Sequence, residues 1–371
     1  MINKLKSIFN KKAKAPKRYV SCEYVQHGFN VDYEDIKMCC FNCHEGGGRQ
    51  ILIDNYKGEM INWKKFFKEK RKMRELNKKG IILERCKGCI FLKEREWDDE
   101  DYINYMVFNH WTQCNCKCKY CFTNEQSDYF NARKNYNMYP VIKKLADYGK
   151  WRRIITKKLY DMGLKKTYYP CKIRGGGEIG FGGGEPALLP EFEPMVNLLL
   201  DCGCDNIRVH SSGVKYSKAI ERGLSEGKLT LVVSVDSGTP ETYTNIKRVN
   251  HFNKVWENLT IYASKQGENK YKAKTKYIIY PGYNDNKEEV DKFLDLTIKA
   301  GIKSVVLDVE GGYYEQHKYE IPDYLYELLD YAEQRTKDLD MKFVEFYDRA
   351  SHMRSHKEEY LKLRENAKSQ E

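Results

Sequence analysis

Four cysteines crowd the short stretch WTQCNCKCKYCF, and thiols at this density are suited to bind a metal. Three of them, Cys114, Cys118 and Cys121, have the spacing C-x3-C-x2-C. The aromatic Tyr120 stands directly before the last thiol. Three thiolates from one loop can occupy three corners of a cubane iron–sulfur cluster and leave one iron without a protein ligand. Cys116 departs from this spacing, so we assign it no ligand role, and a zinc site remains the alternative.

A glycine-rich turn, FGGGEPALLP, follows the next strand-like run after the cysteine loop. Its centre is Gly183, Gly184, Glu185 and Pro186. Glycines let backbone carbonyls approach a ligand closely, and a carboxylate suits an ammonium group. A glycine-rich turn is a weak signal alone, because turns are commoner than sites. Its position, one strand after the cysteine loop, makes it a candidate binding site.

Together the loop and the turn resemble the motifs of the radical SAM superfamily, over residues 102–346. The resemblance implies a [4Fe–4S] cluster whose open iron is chelated by the amino and carboxylate groups of S-adenosylmethionine (SAM), with the GGEP turn around the amino group. It implies that the reduced cluster cleaves SAM to methionine and a 5′-deoxyadenosyl radical, which takes hydrogen from a substrate. The expected protein partner is an electron donor such as flavodoxin or ferredoxin.

Polar side chains also stand at the ends of later strand-like runs. By the same resemblance, five of them face the cofactor: Ser211, Ser212, Ser234, Asp236 and Arg248. The serines and the aspartate would lie toward the ribose, and the arginine would reach the SAM carboxylate, although a solvent-exposed helical arginine is the alternative. Two further residues, Asn284 and Asp308, follow the last strands and could bind a ligand or cap their own loops.

The elements that position these residues alternate in type. Six apolar runs read as strands: INYMVFNH, EIGFGG, NIRVHSS, LTLVVSVD, TKYIIYP and SVVLDV. Amphipathic stretches such as EFEPMVNLLLDCG and NKEEVDKFLDLTIKAG lie between them. Repeated strand–helix units with nearly continuous apolar strands indicate an α/β fold with a parallel sheet covered by helices. Six units suit a (β/α)6 partial TIM barrel, whose sites lie at the carboxyl ends of the strands.

A second group of cysteines precedes the predicted barrel. Its arrangement, with a helix near Trp63 to Lys79 between two cysteine-bearing segments, is similar to the auxiliary-cluster half-domain called twitch, related to SPASM domains, although in most relatives that module follows the barrel. Zinc in the same ligands is the alternative, and Cys39 or Cys43 could replace Cys40. The resemblance gives four thiolates for a second [4Fe–4S] cluster, at Cys22, Cys40, Cys86 and Cys89.

The sequence predicts four segments. The cysteine-rich region has few strand signals and looks like a small module held together by metal. The predicted boundaries are 1–19 for a basic flexible arm, 20–100 for the auxiliary module, 101–346 for the partial barrel and 347–371 for a charged helix or tail.

Composition narrows the class of protein. The 371 residues carry a net charge of +12 and are 41% hydrophobic, which suits a globular protein. No apolar run approaches the roughly 18 residues of a membrane helix, and the first residues lack the apolar centre of a signal peptide. Thirteen cysteines without a secretion signal favour metal binding over disulfides, because cytosolic thiols stay reduced. We therefore expect a cytoplasmic protein without a membrane span.

The function predicted from these patterns is radical SAM catalysis on an unidentified substrate. An anionic small molecule or sugar is favoured, because excess Lys and Arg near a cleft concentrate anions. Maturation of a ribosomal peptide is the alternative, although no leader-binding helical pattern precedes Cys22. A non-catalytic protein that binds zinc and nucleic acid would account for the charge but leaves the GGEP turn unexplained, so nucleic acid is not expected.

Overall fold

The computed structural model describes residues 18–32, 35–39, 51–98, 100–121, 136–148, 150–164, 171–317, 321–345 and 358. The predicted amino-terminal arm and carboxyl-terminal tail lie almost entirely outside these residues, as do Cys40 and Cys43. The chain divides into two compact units. The first comprises Met1–Trp111, Ala132–Phe181 and Pro194–Ile207, and the second comprises Thr112–Asn131, Gly182–Glu193 and Arg208–Glu371.

Strands and helices alternate along most of the described chain. The strands are β1 Arg18–Ser21, β2 Gly28–Val31, β3 Ile36–Lys37, β4 Ile51–Ile53, β5 Lys93–Glu96, β6 Tyr105–Phe108, β7 Ile179–Phe181, β8 Ile207–Ser211, β9 Leu229–Ser234, β10 Ala273–Ile279, β11 Ser304–Val309 and β12 Lys342–Glu345. The helices are α1 Glu23–His27, α2 Trp63–Lys78, α3 Tyr139–Asp147, α4 Lys150–Asp161, α5 Phe192–Asp201, α6 Lys218–Ser225, α7 Pro240–Lys247, α8 Phe252–Lys265, α9 Lys287–Lys299, α10 Gly311–Gln316 and α11 Asp323–Asp338.

The first unit combines parallel and antiparallel pairs. Its strands follow the order β7-β6-β2-β3-β4, with β6 parallel to both β7 and β2, and β3 antiparallel to β2 and β4. A separate antiparallel pair joins β1 and β5. Helix α2 begins at Trp63, where the Asn62 side chain accepts the backbone N–H of Lys65 at 3.1 Å. Its apolar face packs on the sheet, since the Trp63 ring lies 5.3 Å from the ring of Phe29. The helix predicted in this region is confirmed.

The second unit is a parallel α/β layer. Its strands follow the order β12-β11-β10-β9-β8, and the registers of β9 with β10, β10 with β11 and β11 with β12 are parallel. Strand β11, SVVLDV, is buried at every residue, as a parallel strand covered on both faces requires. Because parallel strands end at one edge of the sheet, the loops that follow β8 to β11 converge there.

The predicted α/β class and the six predicted strands are confirmed, and they correspond to β6 through β11. Strand β2 was not predicted as a strand. It lies inside the predicted cysteine-rich module and pairs in parallel with β6, so part of that module belongs to the sheet of the first unit. Within the described residues, no helix combines the length and apolar character needed to cross a membrane.

Candidate active site

The cysteine loop lies in the second unit and is hydrogen-bonded to the end of α7. The backbone N–H of Lys117 donates to the Lys247 carbonyl at 2.9 Å, and that of Lys119 donates to the Ile246 carbonyl at 3.0 Å. Both bonds involve backbone atoms only, so they set the course of the loop whatever the side chains hold. The loop is thereby ordered on each side of Cys118.

The four thiols of this loop differ in exposure and in acidity. Cys114 is exposed, Cys118 and Cys121 are half-buried, and Cys116 is buried. A hydrogen bond from the Cys116 thiol, assisted by the Lys247 ammonium, lowers the pKa of Cys118 to about 6 although burial opposes the shift. The same thiol lowers the pKa of Cys114, and its own pKa is raised by these bonds. Two thiols of the C-x3-C-x2-C set thus favour the thiolate form that binds metal, and Cys116 stays neutral.

The GGEP turn packs directly against the cysteine loop. Gly183 has a φ of 82°, in the left-handed region that favours glycine. A Cβ atom added to Gly184 would lie 2.2 Å from the Gln113 carbonyl oxygen, so no larger residue fits there. The backbone N–H of Glu185 donates to that same oxygen at 2.8 Å. The glycines therefore allow the turn to pack closely on the cysteine loop.

The Glu185 carboxylate is buried and is held by neutral donors. It accepts the hydroxyl of Ser211 at 3.0 Å, the backbone N–H of Ser212 at 2.5 Å and that of Ala187 at 3.0 Å. The Ser212 hydroxyl donates in turn to Asn115 Oδ1, in the cysteine loop, at 2.8 Å. Burial raises the pKa of Glu185 above its usual 4.5. Among the described residues, no Lys or Arg pairs with this carboxylate, which leaves it suited to an external ammonium.

A second buried network ties the loop to the end of β9. Asp236, at a φ of 58°, accepts the backbone N–H of Ile278 at 2.7 Å through Oδ1. Its Oδ2 accepts both the Tyr120 hydroxyl and the Lys247 ammonium, which is itself 2.7 Å from the Tyr120 hydroxyl. Burial acts to lower the pKa of Lys247, but the Asp236 carboxylate outweighs burial and raises it. Asp236 therefore uses its carboxylate to hold the cysteine loop and Lys247.

Sequence reasoning missed Lys247 and named its neighbour. Arg248 is exposed and ends α7 in a left-handed conformation, whereas the Lys247 side chain is 2% exposed. Ser234 is half-buried at the end of β9. Both amide atoms of Asn284 serve its own loop: Nδ2 donates to the carbonyls of Asp236 and Ile278, and Oδ1 accepts a backbone N–H. For Asn284 the structure therefore favours loop capping, one of the two roles that the sequence left open.

A cavity of about 390 Å³ lies beside the cysteine loop. Tyr120 and Cys121 form one wall, with the cation of Lys119, whose ammonium lies 4.1 Å from the centre of the Tyr283 ring. Residues that follow β10 and β11 form the opposite wall, among them Tyr280, Glu310 and Tyr313. The cavity thus presents aromatic rings, hydroxyls and charges of both signs next to a candidate cluster ligand.

The amino-terminal thiols come together within the first unit. Cys22 precedes α1, and its sulfur accepts the backbone N–H of Val25 at 3.4 Å. Cys86 packs against the buried group of Cys22, Val25 and Met38. Burial raises the pKa of Cys22 to about 11 and that of Cys86 to about 12, and both thiols also interact with Cys39 and Cys89. In the described part of the chain, no group of three or more His, Cys, Asp or Glu side chains is arranged to hold a metal ion.

A family model described as the radical SAM superfamily matches residues 108–297, just over half of the chain. The chain belongs to the radical SAM superfamily. It is therefore a radical SAM enzyme that uses a [4Fe–4S] cluster and SAM, and the predicted partial-barrel class is confirmed. The residues present fit both groups, because the cysteine loop offers thiols of lowered pKa and the GGEP turn offers an unpaired buried carboxylate.

Curated relatives match about half of the chain. A GTP 3′,8-cyclase of Petrotoga mobilis is 28% identical over 204 residues, which are 53% of this chain and 52% of the relative. A GTP 3′,8-cyclase of Alkaliphilus oremlandii is 24% identical over 200 residues, 54% of each chain. The chain therefore spans about half the length of the curated relatives it matches. A crystal structure of SuiB from Streptococcus suis bound to its precursor peptide SuiA covers 89% of this chain and 73% of SuiB, at 12% identity and a TM-score of 0.45.

Proposed function

We propose that Cys114, Cys118 and Cys121 hold the [4Fe–4S] cluster and that Glu185 receives the methionine ammonium of SAM. The observation that carries this proposal is the buried Glu185 carboxylate, which has neutral donors around it and belongs to a residue whose backbone N–H donates to the Gln113 carbonyl of the loop. When bound, the cluster supplies the electron that breaks the bond between the SAM sulfur and its 5′ carbon. The protein's part is to fix SAM in one orientation and to exclude water from the radical.

Each neighbouring residue has a proposed part in holding that orientation. Ser211 and Ser212 fix the Glu185 carboxylate, so that it points one way when the ammonium arrives. Asp236 acts on the cluster loop, through the hydroxyl of Tyr120. The remaining predicted contacts are proposals by resemblance: Gly183, Gly184 and Pro186 around the methionine, Ser234 toward the ribose and Arg248 toward the carboxylate.

For the substrate we propose an anionic small molecule or sugar. The cavity beside Cys121 suits a compact ligand, since its volume of about 390 Å³ lies within the usual range for small-molecule sites. Lys119 supplies a positive charge for an anion. The tyrosines supply aromatic faces on which a substrate ring can stack and hydroxyls that can hydrogen-bond to it. The name of the curated relatives also specifies GTP, which is an anionic nucleotide.

A peptide substrate is the second candidate, because the sequence leaves maturation of a ribosomal peptide open as the alternative. The substrate test therefore includes both classes. We expect deuterium from a labelled sugar or nucleotide pool to appear in 5′-deoxyadenosine when the anaerobic enzyme receives SAM and a reductant, and label that arrives only from a peptide pool would overturn the preference.

We further propose an auxiliary iron–sulfur module of the twitch or SPASM type at the amino-terminal thiols. Three of its four predicted ligands, Cys22, Cys86 and Cys89, lie in the described residues, and Cys40 lies outside them. A cluster held by four thiolates has no open iron, so it would carry electrons, with flavodoxin or ferredoxin as the proposed donor. We also propose that the enzyme acts in the cytoplasm, where thiols stay reduced.

The metal content tests the two-cluster proposal. Anaerobic reconstitution is expected to give about eight irons per chain. Stoichiometric zinc with only about four irons would replace the auxiliary cluster with a zinc site. Reduction by flavodoxin or ferredoxin in place of a chemical reductant would then test the donor, and cleavage of SAM is the readout.

A further inference from the structure

Lys70 is a buried lysine that has no carboxylate partner among the described residues. Its side chain is fully buried on α2, and its ammonium donates to the backbone carbonyls of Tyr24 and Gly28, each at 2.8 Å. Among the described residues no carboxylate lies within 4 Å of this ammonium. The nearby Asp101 is taken by Arg74 at 2.6 Å. Burial lowers the pKa of Lys70 to about 7, because an ammonium that meets only carbonyl dipoles is costly, and an anion close by would stabilise the charged form.

Two of the groups that interact electrostatically with the Lys70 ammonium are thiols. The two carbonyls that accept from Lys70 flank most of α1, the short helix that starts after Cys22. Tyr24 lies in its first turn, and Gly28 follows its last residue. A Cβ atom added to Gly28 would lie 2.3 Å from the Met38 carbonyl oxygen, which places the segment before Cys39 against the same turn. The Lys70 ammonium interacts electrostatically with Cys22 and Cys39, and both would be anionic as metal ligands.

The other two thiols close the group from a separate segment. Cys86 packs on the cluster that contains Cys22 and Met38. The backbone N–H of Cys89 donates to the Cys86 carbonyl at 3.1 Å, which makes the tight turn of a C-x2-C pair. Cys22 and Cys86 each interact electrostatically with both Cys39 and Cys89, which supports the packing of these segments around one group of thiols.

We propose that Cys22, Cys39, Cys86 and Cys89 are the four ligands of the second metal site and that Lys70 is its buried counter-ion. This inference rests on the proposed auxiliary site and replaces Cys40 with Cys39 in its ligand set. Four thiolates outweigh the positive charge of the metal they hold, so the loaded site is anionic. The fixed ammonium offsets part of that charge where water cannot reach it.

The ligand set is tested in the full chain that carries C114A, C118A and C121A, so that only the amino-terminal site is loaded. Iron, sulfide and zinc per chain are measured after anaerobic reconstitution, and circular dichroism checks folding. We expect C40A to keep the metal of its parent, about four irons, and C39A to lose it. Metal lost in C40A and kept in C39A would overturn the ligand set alone. A parent that binds neither iron nor zinc would overturn the auxiliary site itself.

The counter-ion is tested by K70M, with K70R and K72M as matched variants. Lys72 lies on the same helix but is exposed, where it pairs with Glu69. We expect K70M to release its metal to a chelator several-fold faster and to shift the midpoint potential of an iron–sulfur cluster to a more negative value, because the lost cation stabilised the reduced state. K70R should stay close to the parent, and K72M should equal it. A K70M variant that folds with unchanged potential and release rate would overturn the role of Lys70.

Discussion

The two thiol-rich regions bury opposite charges. In the second unit the buried Glu185 carboxylate has no Lys or Arg partner among the described residues, whereas the buried cation Lys247 has Asp236 as its partner. In the described part of the first unit, Lys70 is a buried basic group with no carboxylate within 4 Å of its ammonium. Each region therefore lacks the charge that its proposed ligand would bring: an ammonium from SAM in one case and metal thiolates in the other. An uncompensated buried charge is costly, and here it indicates the sign of the missing ligand.

Exposure separates the two regions in the same way. Cys114 of the loop is open to solvent, whereas Cys22 of the amino-terminal group is buried. Metal sites that do chemistry keep an accessible position, and sites that serve structure or electron transfer are closed by protein ligands. We propose that the loop is the catalytic site and that the amino-terminal thiols have a supporting role, and the following variants test that division in order of expected effect.

Removing the three loop thiols should have the largest effect on SAM cleavage. The variant C114A, C118A, C121A is expected to lose all SAM cleavage, because no thiolate remains to hold the catalytic cluster. It should still fold and retain about half of the iron, held by the first unit. Production of 5′-deoxyadenosine and iron content are the measurements. Full cleavage by this variant would refute the assignment of the loop.

Replacing Lys247 should leave the second unit with a buried carboxylate, Asp236, that has lost its cation. The K247M variant leaves Asp236 buried without its cation, so we expect the free energy of unfolding to fall by about 3–5 kcal/mol. SAM cleavage should fall roughly a hundredfold, since the loop is no longer fixed. Urea unfolding and 5′-deoxyadenosine production measure the two effects. The double variant D236N, K247M should regain stability without regaining cleavage, and recovery of both would argue against a positioning role.

Neutralising Glu185 tests the contrast between the two buried charges, because it removes the carboxylate proposed to bind the SAM ammonium. We expect E185Q to bind SAM at least about tenfold more weakly, since a hydrogen bond to a charged group is worth about 1.5–3 kcal/mol. Equilibrium dialysis measures that affinity. The matched control is E288Q, which makes the same change at an exposed carboxylate on α9 and should bind SAM as wild type does. Equal SAM affinity in E185Q and wild type would remove Glu185 from the site.

The same substitution carries a pH signature. Burial raises the pKa of Glu185, so its contribution to stability is present below the usual value of 4.5 and is lost as pH rises through the raised pKa. The stability of wild type relative to E185Q, without SAM, should therefore decline as pH rises through this window. Unfolding measured at several pH values checks the sign, and an increase with pH would contradict it.

Cys116 should have the smallest effect. The C116A variant is expected to keep most SAM cleavage and its full iron content, because this thiol is neutral and stands outside the C-x3-C-x2-C spacing. Its buried contact with the Tyr243 hydroxyl, at 4.0 Å, suggests a stability loss of about 1 kcal/mol. Loss of the cluster in this variant would show that a different set of three cysteines binds it.

The sequence predicted what depends on spacing and periodicity. The six strands β6 to β11 and helix α2 follow from local patterns. It did not choose between adjacent residues of one type. Lys247 and Arg248 are both basic, and only the left-handed turn at the end of α7 decides which side chain is buried. Cys39 and Cys40 posed the same problem, and strand β2 was recognised only through its pairing with β6.

The two backbone hydrogen bonds between the cysteine loop and the end of α7 join main-chain atoms and use none of the loop's thiols. The conformational entropy of the loop is thus lost while the chain folds, and little is left to lose when iron and sulfide arrive. A loop ordered in advance can also outlast its cofactor. A cluster destroyed by oxygen would leave the thiols spaced for a replacement, so that repair of the enzyme requires new iron and sulfide but no refolding.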